Sequence, residues 1–225
     1  MHTPRARLAV LASGSGSNVQ AIHDDLVRRG AAASADLGLV VSDRAEAGAL
    51  ARARGWKVPA VHLPREASDT LGVLLTVHRI THVALAGYLR LIPIDVVRAY
   101  AGRMVNVHPA LLPAFGGPGM YGQRVHEAVI AAGVRVSGPT VHFVSEQYDA
   151  GAIIAQWPVP VHTADTAGTL AARVLEAEHR VFPWCIAALT SGHIALGSDG
   201  RTTGALPYDF PRFLPDVADR HPFAG

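Results

Sequence analysis

The sequence predicts an α/β fold: a Rossmann-like, mostly parallel sheet with helices on both faces and antiparallel additions in the C-terminal half. Three observations carry that expectation. Short, nearly all-apolar runs alternate with amphipathic stretches through the first half, as buried parallel strands and their covering helices do. A glycine-rich loop, "SGSGSN" at 13–18, separates the first apolar run from the first helix-like stretch. In the second half two neighbouring strand-like runs are joined by a short turn, the pattern of an antiparallel pair.

The elements follow in order. "RLAVLAS" (7–13) reads as the first strand and "NVQAIHDDLVRRG" (18–30) as the first helix. A strand at 36–43, a helix at 45–55 and a strand at 58–63 come next, then a third helix at 69–80 and a fourth strand at 82–87. "PIDVVRAYAGR" opens with Pro93 at a helix start, where its missing N–H costs nothing, and leads into a fifth strand, "MVNVHP" (104–109). No element is assigned to Phe115–Gly138. "GPTVHFV" and "AIIAQWPVPV" form the later strand pair around the turn "SEQYDAG", and 166–192 reads as a long helix kinked at Pro183. "HIALGSDGR" reads as a last strand or hairpin, and a Pro-rich tail from Leu206 as extended surface chain. Residues 1–225 are expected to form one domain. Its two halves are expected at 1–105 and 106–200, with a surface tail at 201–225.

Composition narrows the function classes. The 225 residues are 49% hydrophobic and 17% charged, with a net charge of +2 and dispersed basic residues, which argues against a nucleic-acid coat. One cysteine, Cys185, excludes an internal disulfide framework and suits a reducing cytosol. No apolar run approaches the roughly 18–20 residues that span a bilayer, so a cytoplasmic protein is expected. Among the twelve histidines, "HE" at 126–127 begins like a zincin, but Ile130 stands where the second histidine is needed. No metal site is expected.

The loop at 13–18 allows three readings. A dinucleotide fingerprint has its first two glycines in Gly14 and Gly16 and an acid in Asp43, but Val19 replaces the third glycine. A triphosphate loop fails, because no lysine precedes Lys57. There remains the general device of backbone N–H groups at a helix N-terminus holding a phosphate, with Ser17 and Asn18 as good capping residues.

The most informative stretch is "MVNVHPALLPAFGG" at 104–117. Asn106 and His108 are two apart on a strand and so share a face, at the carboxyl end where α/β folds place chemistry. An amide beside a protonated imidazole suits an oxyanion forming at an acyl or formyl carbon. Asp149, in the later turn, is the candidate carboxylate to sustain the imidazolium. His142 reads as a strand histidine facing the site or packed against it. Arg52 and Arg54, with Arg44 nearby, read as a solvated helix face.

"SGSGSN", "AGYLRLI" (86–92), "NVHPALLP" (106–113), "VHFV" (141–144), "DAGAIIAQ" (149–156) and "EHRVFP" (178–183) occur in that order. Together they closely resemble the phosphoribosylglycinamide formyltransferases, a folate-dependent formyltransferase family, from about residue 7 to about 200. Departures are a segment, Phe115–Gly138, a few residues longer, and Ser137 where many relatives carry histidine.

The resemblance implies transfer of the formyl group of 10-formyltetrahydrofolate to the amine of glycinamide ribonucleotide, in purine biosynthesis, without a metal. It implies that Asn106, His108 and Asp149 are catalytic. Gly16, Ser17 and Asn18 would hold the phosphate, Gly14 and Ser15 would shape the loop, and Glu178 would accept from the ribose hydroxyls. Arg65 would meet the folate's glutamate tail, Leu89, Arg90, Leu91 and Ile92 would wall the pterin pocket, and Asn106 would face both substrates. With these small-molecule substrates, neither nucleic acid nor membrane is an expected partner, and the chain is expected to be a monomer or homodimer.

The alternatives are a formyltetrahydrofolate hydrolase, whose extra N-terminal domain would have no room before residue 7, and more remotely an NAD(P)-dependent reductase. A methionyl-tRNA formyltransferase would need a C-terminal domain that the last 25 or so residues cannot form. A non-catalytic nucleotide-binding module would leave Asn106, His108 and Asp149 without purpose.

Overall fold

The computed structural model describes residues 5–205. The strands Ala6–Leu11 (β1), Ala35–Ser42 (β2), Ala60–His62 (β3), His82–Leu85 (β4) and Met104–His108 (β5) are joined by four helices. These are Ser17–Arg29 (α1), Gly48–Gly55 (α2), Leu71–Val77 (α3) and Ile94–Ala99 (α4). Gln123–Ala131 (α5), Val136–Ser137 (β6), Thr140–Phe143 (β7), Ile153–Gln156 (β8) and Val159–Pro160 (β9) follow. Ala167–Thr190 (α6) precedes a closing hairpin of Ile194–Leu196 (β10) and Thr202–Gly204 (β11).

The main sheet has the order β3-β2-β1-β4-β5-β7-β8; the first five strands are parallel and the last two antiparallel, as the sequence predicts. Period-2 alternation along β1 separates two cores. Leu8, Val10 and Ala12 pack with Val19, Ile22, Leu50, Val181 and Phe182 on one face. Ala9 and Leu11 pack with Leu71, Leu75, Val96 and Met104 on the other. Since β1 lies between β2 and β4, the loops after β1 and β4 sit side by side at the point where strand order reverses, the place where such sheets bind ligands. Ser13 N–H donates to the Gly87 carbonyl (3.1 Å), and Leu89 N–H donates to Ser13 Oγ (2.9 Å), tying these loops together.

Several boundaries differ from the sequence reading. Residues 65–70 form a 3-10 turn and α3 begins only at Leu71; the chain leaves it through Arg79, at φ 53°. The long helix is a single element with Pro183 in its interior. Its start is a capping box, in which Thr166 Oγ1 accepts from Thr169 N–H (3.2 Å) and Thr169 Oγ1 from Thr166 N–H (3.0 Å). The unassigned segment contains α5, whose buried Val125, His126 and Val129 make a short apolar face (i, i+1, i+4) that the flanking glycines obscure. The expected tail contributes β11, and its Pro-rich part from Leu206 lies outside the described residues. Among the described residues no helix is long and apolar enough to cross a membrane.

Candidate active site

The glycine loop leads into α1 through Gly16, which takes φ 77° and is itself the cap; no side chain caps the helix, contrary to the expectation for Ser17 and Asn18. The first-turn N–H groups have no acceptor within the helix and stay available. Gly16 is required twice over: its φ is left-handed, and a Cβ there would meet Ala49 Cα at 2.6 Å. The loop is held against α2, where Ala49 N–H donates to the Gly14 carbonyl (3.3 Å) and Arg52 Nε to that of Ser15 (3.0 Å). Arg52 also donates to Gln20 Oε1 (2.6 Å), so it clamps the loop and is not part of a merely solvated face. Val19, in the place of a third glycine, is fully buried core. Asp43 is engaged by Arg90 Nε (3.2 Å) with its side chain 6% exposed, which removes the acid that a dinucleotide ribose would need.

Asn18 turns inward instead. Its Nδ2 donates to Glu178 Oε2 at 2.6 Å, joining the start of α1 to the middle of α6, while its buried Oδ1 has no partner. Burial raises the Glu178 carboxyl to about 7, against the smaller opposing effect of the Asn18 bond. Asn18 and Glu178 both line a cavity of about 800 Å³.

The same cavity is lined by the polar cluster that the sequence places at the end of β5. Antiparallel pairing sets Asn106 opposite His142 and His108 opposite Thr140. Thr140 Oγ1 donates to the Ala110 carbonyl (2.6 Å) and accepts from Leu112 N–H (3.0 Å), which fixes the chain just beyond His108. His108 Nε2 lies 2.8 Å from the Phe115 carbonyl, which can only accept, so Nε2 carries hydrogen. Nδ1 is thereby left facing Asp149 Oδ2 at 3.6 Å. His142 is fixed in the same way: Nδ1 donates to the Phe143 carbonyl (2.8 Å), and Nε2 is left to accept from Asn106 Nδ2 (3.0 Å). Burial, more than any nearby charge, lowers the His142 pKa and keeps this ring neutral, although Asp149 Oδ1 lies 3.7 Å away.

Asp149 sits in the β7–β8 turn at φ 51°, a left-handed conformation that aspartate tolerates better than most residues. Two residues on, Gly151 is obligatory, because a Cβ there would fall 1.8 Å from the Phe143 carbonyl. Asp149 Oδ2 also accepts from Gly117 N–H (2.9 Å), so the segment after Phe115 is stitched to the His108–Asp149 pair on both sides of Gly116.

Asn18, Glu178, Asn106, His108, Asp149 and the run Leu89–Ile92 thus border one cavity. Gly14, Ser15, Gly16 and Ser17 stand beside Asn18 but off its wall. Arg65 is exposed and also off the wall, although Ser68 from the same turn lines it. The sequence reading passed over Gly168, Ala171 and Leu175, which line the cavity on the helical face of Glu178; their spacing of ten, seven and three residues before Glu178 is the sign that would have found them. It also set aside His126, on α5, which lines the cavity. Among the described residues, no three His, Cys, Asp or Glu side chains gather as a metal site.

Residues 6–186 match the model of the Formyl transferase family. The chain is 42% identical over 203 residues to the chloroplastic phosphoribosylglycinamide formyltransferase of Vigna unguiculata, a match covering 87% of this chain and 64% of that protein. It is 37% identical over 190 residues to the phosphoribosylglycinamide formyltransferase of Bacillus subtilis (strain 168), covering 81% of this chain and 94% of the other. Among solved structures, glycinamide ribonucleotide transformylase 1 from Symbiobacterium toebii superposes with a TM-score of 0.80 at 38% identity, over 88% of this chain and 93% of that one. The chain therefore spans just under two thirds of the plant protein's length and nearly all of the bacterial ones. The family match over most of the sequence, on a fold shared with the solved relatives, identifies this chain as a member of the formyl transferase family.

Proposed function

We propose that the chain transfers the formyl group of 10-formyltetrahydrofolate to the amine of glycinamide ribonucleotide. The observation that carries this reading is the convergence of Asn106, His108 and Asp149 on a cavity that Asn18 and Glu178 also line. The relatives at 37–42% identity bear the name of this activity.

The residues present fit both substrates. The unpartnered Asn18 Oδ1 and the Glu178 carboxylate can accept from sugar hydroxyls, and the free N–H groups of the α1 first turn suit a phosphate dianion. Leu85, Ile92, Val97 and Val144 on the cavity wall offer apolar surface to a flat heterocycle, and Arg90 lines it too. Arg65 would reach a carboxylate tail only where it leaves the cavity near Ser68. The two proposed halves of the chain both contribute: residues 1–105 supply the phosphate loop, and 106–200 supply the acid–base groups and Glu178.

The formyl donor supplies an electrophilic carbon, so direct attack by the acceptor amine needs no side-chain nucleophile. Cys185 has no part, since complete burial raises its thiol far above neutral pH. As the carbonyl oxygen gains charge, Asn106 donates one N–H while its other is held by His142. Nε2 of His108 is committed to the Phe115 carbonyl, which leaves Nδ1, beside Asp149, as the nitrogen that can present a proton to the reacting oxygen. An Nδ1–H there serves the oxyanion, and Asp149 accepts the proton that the amine releases. The tetrahedral intermediate collapses as the bond from the formyl carbon to the folate N10 breaks, N10 taking that proton to leave as tetrahydrofolate.

The test offers purified protein 10-formyltetrahydrofolate with glycinamide ribonucleotide, with methionyl-tRNA, or with water alone. Transfer to the ribonucleotide, with deformylation in water far slower, is the expected result. Equally fast deformylation without an acceptor would replace this reading with a hydrolase.

A further inference from the structure

His126 has no task in the reaction just described. It is 5% exposed, lies on the cavity wall, and makes no hydrogen bond through either ring nitrogen among the described residues; Nδ1 is fully enclosed. A histidine that merely fills a core has its nitrogens bonded, and a buried polar group without a partner calls for an explanation. The zincin-like "HE" does not supply one, since Glu127 is exposed and no metal-binding group of side chains forms among the described residues.

The ring's state and place define what it can bind. Burial, and then the charge of nearby His108, lower its proton affinity, so it is neutral at pH 7 with a single N–H. A stranded N–H at the enclosed Nδ1 is less tolerable than a stranded lone pair, which places the hydrogen on Nε2 as a donor to the cavity. Helix α5 packs on α6, which carries Glu178. His126 thus lines the same cavity as Asn18, Glu178 and His108, near enough to His108 to feel its charge and on a helix packed against the one that carries Glu178. In glycinamide ribonucleotide, the piece between the sugar and the attacking amine is an amide.

We propose that His126 Nε2–H donates to the carbonyl oxygen of the acceptor's glycinamide group and so aims its amine at the formyl carbon. The inference rests on the transferase reading above and adds a specificity determinant to it: acceptors lacking that carbonyl, water included, lose the contact.

The test compares wild type with His126→Phe, which keeps a flat ring without a donor, and His126→Gln, which keeps an N–H. Binding of glycinamide ribonucleotide is measured by calorimetry without the formyl donor, alongside steady-state rates and thermal melts. His126→Phe is expected to weaken ribonucleotide binding and raise its KM about 10-fold, the loss expected for one directed hydrogen bond. KM for the formyl donor should stay within about twofold, and the melting temperature should not fall, because the phenyl ring removes an unpartnered nitrogen. His126→Gln should recover most of the ribonucleotide affinity. A wild-type ribonucleotide KM in His126→Phe overturns the inference. So does a loss shared equally by both substrates, a drop in melting temperature, or a His126→Gln variant as poor as His126→Phe. Failure of the wild type to bind or formylate the ribonucleotide would instead overturn the transferase reading, and that arm shows it without the variants.

Discussion

Asp149 is shared by two imidazoles that the backbone has put in different states. The Phe115 carbonyl engages His108 Nε2 and leaves Nδ1 facing Asp149, whereas the Phe143 carbonyl engages His142 Nδ1 and leaves Nε2 as an acceptor for Asn106. His108→Ala and Asp149→Asn should each lower kcat about 10²–10³-fold, as removal of an oxyanion-stabilising group does. Ribonucleotide binding should largely survive; single-turnover rates together with binding measurements separate the two, and a near-normal rate would remove that residue from the mechanism. Glu178 gives a prediction for the folded state alone. Its folded pKa of about 7 lies above the ordinary 4.5. Its stabilising contribution is therefore complete below about pH 4.5 and lost as pH rises through about 7. Glu178→Gln keeps an acceptor for Asn18 but cannot ionise. Wild type should lose about 3 kcal/mol relative to that variant between roughly pH 4.5 and 8. Parallel urea stability curves for the two proteins across that range would exclude the buried, raised carboxyl.

At the scale of elements, the loop and α1 depend on the small residues that let them meet α2. Gly16→Ala places a Cβ 2.6 Å from Ala49 Cα in a left-handed residue and should cost about 2–4 kcal/mol. Gly14→Ala meets nothing within 4 Å and should stay within about 0.5 kcal/mol of wild type. Denaturant midpoints of the two variants check this, and equal losses would refute the packing argument. The sequence made the β–loop–α unit legible through its apolar run and glycines. It could not show which residue caps α1, because Ser17 and Asn18 have the right chemistry but Gly16 has the right φ. Arg52 was misread for a related reason: its helix faces solvent, and only the position of the loop carbonyl gives its guanidinium a partner. Helix α5 was hidden because nine residues between glycine-rich flanks hold too few turns for a clear period.

Over the whole molecule, the mostly parallel sheet and its antiparallel additions in the second half were legible from the alternation of runs, whereas the strand order β3-β2-β1-β4-β5-β7-β8 was not. The convergence of Asn18, Glu178, Asn106, His108 and Asp149 was legible only in part. Strand spacing places Asn106 and His108 on one face, but the distances from Asn18 to Glu178 and from His108 to Asp149 span 160 and 41 positions along the chain. Such contacts depend on how the faces of the sheet are covered, which local pattern does not encode; the motifs shared with a family carried that part. His126 lay outside both sources, with no spacing partner and no motif role.

The two bonds flanking Gly116 have a practical consequence. Phe115 is moored to His108 and Gly117 to Asp149, while α5 takes up the chain again at Gln123, packed on α6. The stretch between, Pro118 to Gly122, runs along the cavity between these two moorings, held on its own side by a bond from Met120 N–H to the Gly117 carbonyl (3.1 Å). Its length can change without pulling on the imidazole or the carboxylate, which makes it the natural splice point for varying the mouth of the cavity while leaving the reacting groups where they are.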